Sequence, residues 1–118
     1  MSIHPLAVVS PGAKLGTGVT VGPFATIESD VELGDHCTVA AGTVIKSGVT
    51  AGSHNEFGEH AVIGGAPQHV ARPAETGRVV IGDHNVFREH VTVHRAMKPS
   101  ATTTVGNHNY VMASTHFG

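Results

Sequence analysis

The sequence has little of what builds a helical or a disulfide-bonded domain. It contains no tryptophan, one cysteine and only 4% aromatic residues, so neither an intrachain disulfide nor a core of large rings is expected. Leucine, which is typical of helical cores, occurs three times, whereas valine occurs 17 times and threonine 12 times. Because β-branched side chains favour strands, this balance argues strongly against a helical bundle.

Charge and hydropathy exclude further classes. Seven Lys+Arg stand against nine Asp+Glu, and no basic patch predicts a nucleic-acid partner. No apolar run approaches the roughly 20 residues that span a bilayer, so no membrane insertion is expected, and the first residues lack the pattern of a signal peptide. With 118 residues the chain is expected to be a single cytoplasmic domain.

An apolar residue recurs at every sixth position. The series is Ile3, Val9, Leu15, Val21, Ile27, Leu33, Val39, Ile45, Ala51, Phe57 and Ile63. A second series, four residues further on, is small or β-branched and runs from Ala7 to Val49. Such a repeat turns one large and one small side chain inward per strand, and three strands close a triangular coil. The sequence predicts an all-β, hexapeptide-repeat parallel β-helix of about six coils, one domain over 1–118.

Two stretches leave this repeat. The first runs over about 65–80 and contains Pro67 and Pro73, and the second runs over about 95–104 and contains Pro99. Proline and charged residues do not fit the inward positions of a coil. Both stretches are therefore predicted to be loops that project from the prism, where binding groups commonly lie.

The ten histidines divide into two groups. Six occupy the outward turn position of a hexad, and we expect them to be solvent-exposed corner residues: His36, His54, His60, His84, His90 and His108. His36 and His54 should stack on adjacent coils, but the sequence forces no third ligand near them, so neither a metal site nor a cofactor is predicted. Four histidines break the pattern, namely His4, His69, His94 and His116.

One run of residues is more specific than the hexads. It reads Asn85-x-x-Arg88-Glu89-x-x-Thr92-x-His94-Arg95, and it follows the segment Gly64-Gly65-Ala66-Pro67-Gln68. With the hexads, these motifs resemble those of the acyl-[acyl-carrier-protein]–UDP-N-acetylglucosamine O-acyltransferases, and the resemblance covers the whole chain, both loops included.

The resemblance implies a left-handed β-helix and a homotrimer with clefts between subunits. It also implies transfer of a 3-hydroxyacyl group from acyl carrier protein to the 3-hydroxyl of UDP-N-acetylglucosamine, in lipid A synthesis. The resemblance assigns Gln68, His69, His94 and His116 to substrate binding, and His69 stands where the family usually has an aspartate.

The resemblance also implies what this chain lacks. The family's general-base histidine would stand one residue past Gly118, and its later coils and C-terminal helical domain would lie beyond. We therefore expect an N-terminal fragment that is inactive alone, without a catalytic residue of its own, His116 being the nearest candidate. An uncapped last coil further predicts end-to-end association in addition to the trimer.

Three alternatives remain open. The chain could be another hexapeptide transferase, such as the later N-acyltransferase of the same pathway, although the residues around His94 and Arg95 disfavour it. It could be a non-catalytic solenoid that serves as an oligomerisation scaffold. The third alternative is a metal-dependent enzyme resembling the γ-type carbonic anhydrases.

Overall fold

A computed structural model of the chain describes residues 1–68 and 75–117. All regular structure in these two ranges consists of short strands. The strands are β1 (Ser2–Ile3), β2 (Val8–Val9), β3 (Lys14–Leu15), β4 (Thr20–Val21), β5 (Thr26–Ile27), β6 (Val31–Leu33), β7 (Thr38–Val39), β8 (Val44–Ile45), β9 (Val49–Ala51), β10 (Glu56–Phe57), β11 (Val62–Gly65), β12 (Arg78–Ile81), β13 (Val86–Phe87), β14 (Thr92–His94), β15 (Thr102–Val105), β16 (Tyr110–Val111) and β17 (His116–Phe117).

Every third strand belongs to the same sheet, as a coil with three faces requires. One six-stranded sheet has the order β1-β4-β7-β10-β13-β16, a second has β2-β5-β8-β11-β14-β17, and the five-stranded third has β3-β6-β9-β12-β15. All pairings are parallel, and Val21 pairs with Val39 on the next coil. The predicted all-β class is therefore confirmed, and the architecture is a parallel β-helix.

The core is a stack of thin layers formed by the two inward series. Val21, Ile27 and Leu33 of one coil are at most 4% exposed. On later coils Phe57 and Phe87 stack with their ring centroids 5.3 Å apart. Full burial of a side chain of this size stabilises the fold by roughly 1.5–3 kcal/mol, so the hexad series contributes to stability along the whole described prism.

One column of the small inward series changes from apolar to amide side chains. It begins with Val19 and Cys37, which are fully buried. It continues with Asn55, Asn85 and Asn109, linked from coil to coil by hydrogen bonds from Asn85 to Asn55 and from Asn109 to Asn85. The amides satisfy backbone groups at this corner, as where Asn55 Nδ2 donates to the Gly82 carbonyl at 2.8 Å. The hexad pattern alone does not predict this column.

Strands extend into both of the stretches predicted to be loops. β12 begins at Arg78, within the predicted loop 65–80, and β15 begins at Thr102, within 95–104. The reason is that Val79 occupies the small inward position two residues before Ile81, where it is fully buried. The inward repeat therefore resumes at Val79, two residues before the first large apolar residue, Ile81. The segments without strand are correspondingly shorter than predicted.

No helix in the described ranges is long and apolar enough to cross a membrane.

Candidate active site

The corner histidines lie where the sequence predicted them. All six are exposed, and their backbones adopt φ between 57° and 60°. His36, His54, His84 and His108 form one column with ring centroids 4.8–5.1 Å apart. The predicted stacking of His36 on His54 is confirmed.

The rings of this histidine column are poorly oriented to share a metal ion. A ring nitrogen coordinates along a lone pair in the ring plane, so nearly parallel rings direct their lone pairs side by side rather than toward one point. The described ranges contain no group of three or more side chains that could hold a metal ion. The column is therefore interpreted as a stack of exposed corner residues.

Two other histidines meet on the face formed by β14 and β17. These strands are neighbours in one sheet, where Thr92 pairs with His116 and Val93 with Phe117. His116 is paired with Thr92, and His94 lies two residues after Thr92 on β14, so the side chains of His94 and His116 leave the same face. Their rings are edge to face, with centroids 4.5 Å apart.

A local irregularity makes room for His94. The pairing of β11 with β14 shifts between Ile63 and Gly65, which brings Gly65 opposite His94. A Cβ atom on Gly65 would lie 3.1 Å from Cδ2 of His94, so a side chain there would displace the ring. His94 is 9% exposed, and its position depends on the glycine beneath it.

The surroundings of His94 favour its neutral form. Burial lowers the pKa of the His94 imidazole below its ordinary value, and repulsion from His116 in its protonated form lowers this pKa further. His94 is therefore neutral at pH 7. A neutral imidazole offers one N–H donor and one acceptor nitrogen, which suits it to hold a hydroxyl group.

His94 and His116 line a cavity of about 520 Å³, a volume typical of small-molecule sites. Its described lining is Pro67, Gln68, His94, Arg95, Ala96, Met97, Thr103 and His116. Three of the four residues assigned to substrate binding, Gln68, His94 and His116, thus lie around one space. The fourth, His69, falls outside the described residues.

Arg95 is a member of this cavity that the sequence analysis did not assign. Its backbone N–H donates to the Gly65 carbonyl at 2.8 Å, and its Nε is buried without a hydrogen-bond partner. No carboxylate appears in the described lining. The described lining therefore contains an arginine and no carboxylate, a balance of charge that favours an anionic ligand. The sequence feature that could have identified Arg95 is its position directly after His94 in the motif.

Comparison with known proteins shows which enzymes this chain is similar to. Residues 18–47 match the model "Bacterial transferase hexapeptide (six repeats)". The acyl-[acyl-carrier-protein]–UDP-N-acetylglucosamine O-acyltransferase of Paraburkholderia phytofirmans is 53% identical over 98% of this chain and 45% of its own length. The enzyme of that name from a Sulfurihydrogenibium species is 55% identical over 98% of this chain and 43% of its own length. The chain thus spans a little under half the length of the curated relatives it matches.

Solved structures agree with the sequence relatives. The UDP-N-acetylglucosamine O-acyltransferase of Moraxella catarrhalis superposes with a TM-score of 0.95 at 30% identity, over all of this chain and 46% of the other. The UDP-N-acetylglucosamine acyltransferase of Bacteroides fragilis gives 0.93 at 36% identity, over 98% of this chain and 45% of the other. The predicted left-handed parallel β-helix is confirmed.

Proposed function

We propose that this chain, which belongs to the acyl-[acyl-carrier-protein]–UDP-N-acetylglucosamine O-acyltransferase family, supplies part of the sugar-nucleotide site of such an enzyme. The proposed reaction transfers a 3-hydroxyacyl group from acyl carrier protein to the 3-hydroxyl of UDP-N-acetylglucosamine, a step of lipid A synthesis. The observation that supports it most directly is the meeting of Gln68, His94 and His116 around one cavity.

The chemistry is the attack of a hydroxyl group on a thioester. A C–O bond forms to the acyl carbon while a base with a pKa near 7 takes the hydroxyl proton. The C–S bond then breaks, and the carrier thiolate leaves and receives that proton from the base to become the free thiol. We assign no catalytic residue within this chain. Gln68, His69, His94 and His116 are proposed to bind and orient the sugar, and no cofactor or metal enters the scheme.

The charge of the cavity supports a sugar nucleotide as ligand. UDP-N-acetylglucosamine carries a diphosphate, and the described lining of the cavity contains Arg95 and no carboxylate. Acyl carrier protein, a homotrimeric assembly and a cytoplasmic location are proposed on the strength of the family alone. Equilibrium sedimentation of the chain tests the trimer, and a monomer at all concentrations would contradict it.

Binding of the sugar nucleotide is the first test. We expect UDP-N-acetylglucosamine to bind the purified chain in calorimetry, and His94→Gln to weaken binding about tenfold by removing one well-placed hydrogen bond. The matched control is His90→Gln, at an exposed corner away from the cavity. Equal affinities of the two variants would contradict the assigned site.

Transfer itself is the second test. The purified protein is incubated with 3-hydroxyacyl carrier protein and UDP-N-acetylglucosamine, and the acylated sugar nucleotide is measured by mass spectrometry. Product that depends on His94 supports the acyltransferase. A chain that assembles but binds no sugar nucleotide would instead favour the oligomerisation scaffold.

A further inference from the structure

A threonine on the neighbouring coil forms a hydrogen bond with one of the two ring nitrogens of His116. Thr92 and His116 occupy paired positions on β14 and β17, and Thr92 Oγ1 lies 2.9 Å from His116 Nδ1. The same imidazole lines the cavity. Because Nδ1 is engaged by the threonine, Nε2 is the nitrogen left to meet a ligand.

The direction of this hydrogen bond decides what Nε2 can do. If the hydroxyl donates to Nδ1, neutral His116 carries its proton on Nε2 and presents a donor. If Nδ1–H donates to the hydroxyl, Nε2 presents a lone pair instead and could accept a proton from substrate.

Two observations favour donation by the hydroxyl. On the coil below, Thr92 pairs with Val62, which offers no side-chain acceptor, and Thr92 is only partly exposed. Nδ1 of His116 is the one side-chain partner of the Thr92 hydroxyl within the described ranges. In addition, histidine in water intrinsically prefers the Nε2–H tautomer, which is the form that accepts at Nδ1.

We infer that Thr92 is a positioning residue: its hydroxyl donates to Nδ1 and holds neutral His116 as the Nε2–H tautomer. His116 then donates a hydrogen bond to an oxygen of the ligand, a hydroxyl or a carbonyl, and does not act as a base through Nε2. The inferred tautomer does not depend on the proposed function. Only the identity of the ligand as a sugar nucleotide rests on the proposed function.

The tautomer is directly observable by long-range ¹H–¹⁵N correlation in the ¹⁵N-labelled chain, at a pH well above the ordinary imidazole value of about 6.5. His116→Gln identifies the resonances. We expect a lone-pair (pyridine-type) shift at Nδ1 and an N–H (pyrrole-type) shift at Nε2. The reverse assignment in the wild-type chain would overturn the inference.

Two variants separate positioning from folding. Thr92→Val keeps the shape and removes the hydroxyl, and valine already occupies the paired position at Val62. Thr92→Ser keeps the hydroxyl. We expect the His116 shifts to move toward a tautomer mixture in Thr92→Val and to stay near wild type in Thr92→Ser, with both variants folded by circular dichroism. Shifts unchanged in Thr92→Val would also overturn the inference.

A ligand measurement extends the test to function. UDP-N-acetylglucosamine should bind Thr92→Val about fivefold more weakly than the wild type, the effect of roughly one neutral hydrogen bond, and Thr92→Ser should retain most of the affinity. Equal binding by Thr92→Val would refute a positioning role. If the wild-type chain binds no UDP-N-acetylglucosamine, the proposed function fails while the tautomer result stands.

Discussion

Asn85 is the residue whose replacement should most sharply test how the coils are held together. Its side chain is fully buried and makes four hydrogen bonds. Nδ2 donates to Asn55 Oδ1 at 3.1 Å and to the Gly106 carbonyl at 2.8 Å. Oδ1 accepts from the backbone N–H and the side-chain amide of Asn109 at 2.9 and 3.0 Å. Asn85 therefore joins three successive coils.

We expect Asn85→Ala to lower the free energy of unfolding by about 4 kcal/mol, at about 1 kcal/mol for each lost bond. This is a large part of the roughly 5–15 kcal/mol that stabilises a typical domain. Asn109→Ala is the matched control, because that exposed side chain donates one of these bonds and should cost about 1 kcal/mol. Urea unfolding followed by circular dichroism measures both.

Asn85→Asp tests the direction of the bonds rather than their number. The carboxylate has the same shape but turns the two Nδ2 donors into an oxygen that faces Asn55 Oδ1 and the Gly106 carbonyl. Burial and these oxygens raise the pKa of the new carboxyl group in the folded state. The folded form then binds a proton more readily than the unfolded one, so its stability falls as pH rises above about 3.9.

The expected result is that Asn85→Asp is at least as unstable as Asn85→Ala at pH 7, and that its deficit relative to wild type shrinks on acidification. Measuring both variants against wild type at each pH cancels the titration of the other groups. A wild-type unfolding free energy for Asn85→Asp at pH 7 would refute the amide column as a source of stability.

Two further predictions concern the backbone and the core. Gly64→Ala should lower the unfolding free energy by about 1–3 kcal/mol, because φ of Gly64 is +87° and an added Cβ atom would lie 2.5 Å from Val49 Cγ2. Gly106→Ala is the control, because an added Cβ atom there would have no neighbouring atom within 4 Å. Equal melting temperatures of the two variants would contradict the clash at Gly64. The side chain of Cys37 is completely buried, and burial raises the pKa of its thiol. Cys37 should therefore react with Ellman's reagent only after denaturation. Fast reaction in the native chain would show that the coils open.

The repeat made most of the fold predictable, because each hexad position has a fixed direction. Where no segment interrupts the coils, partners are 18 residues apart, as in the hydrogen bond from Thr17 to Asp35, and His36 on His54 follows the same spacing. The large apolar residues alone do not predict the early return of the strand at Val79, because Val79 occupies the small inward position that precedes Ile81.

The contacts of the candidate site were harder to predict because the inserted segments change the spacing. Thr92 and His116 are 24 residues apart, and Asn55 and Asn85 are 30 apart. Which residues meet across an insertion depends on how much chain leaves the prism, and composition does not reveal that. The family resemblance therefore identified His94 and His116 as functional candidates, but not Thr92 as the hydrogen-bond partner of His116.

The protonation of His94 is the last expectation, and it connects burial to ligand binding. In the folded chain the pKa of His94 is lowered, first by burial and then by the charge of His116, whereas in the unfolded chain it returns to about 6.5. The unfolded state then binds more protons between these two values, so the contribution of His94 to stability is complete above pH 6.5 and is lost as pH falls below it.

An NMR titration of the His94 ring in the native chain measures this directly, and His116→Gln should bring its pKa part of the way back by removing the second cause. Binding of an uncharged sugar through neutral His94 should weaken over the same pH range in which the ring takes up its proton, because the protonated imidazole has no acceptor nitrogen. If His94 titrates at or above 6.5 in the folded chain, burial does not control its charge, and a neutral hydroxyl-binding histidine in this cavity is excluded at pH 6.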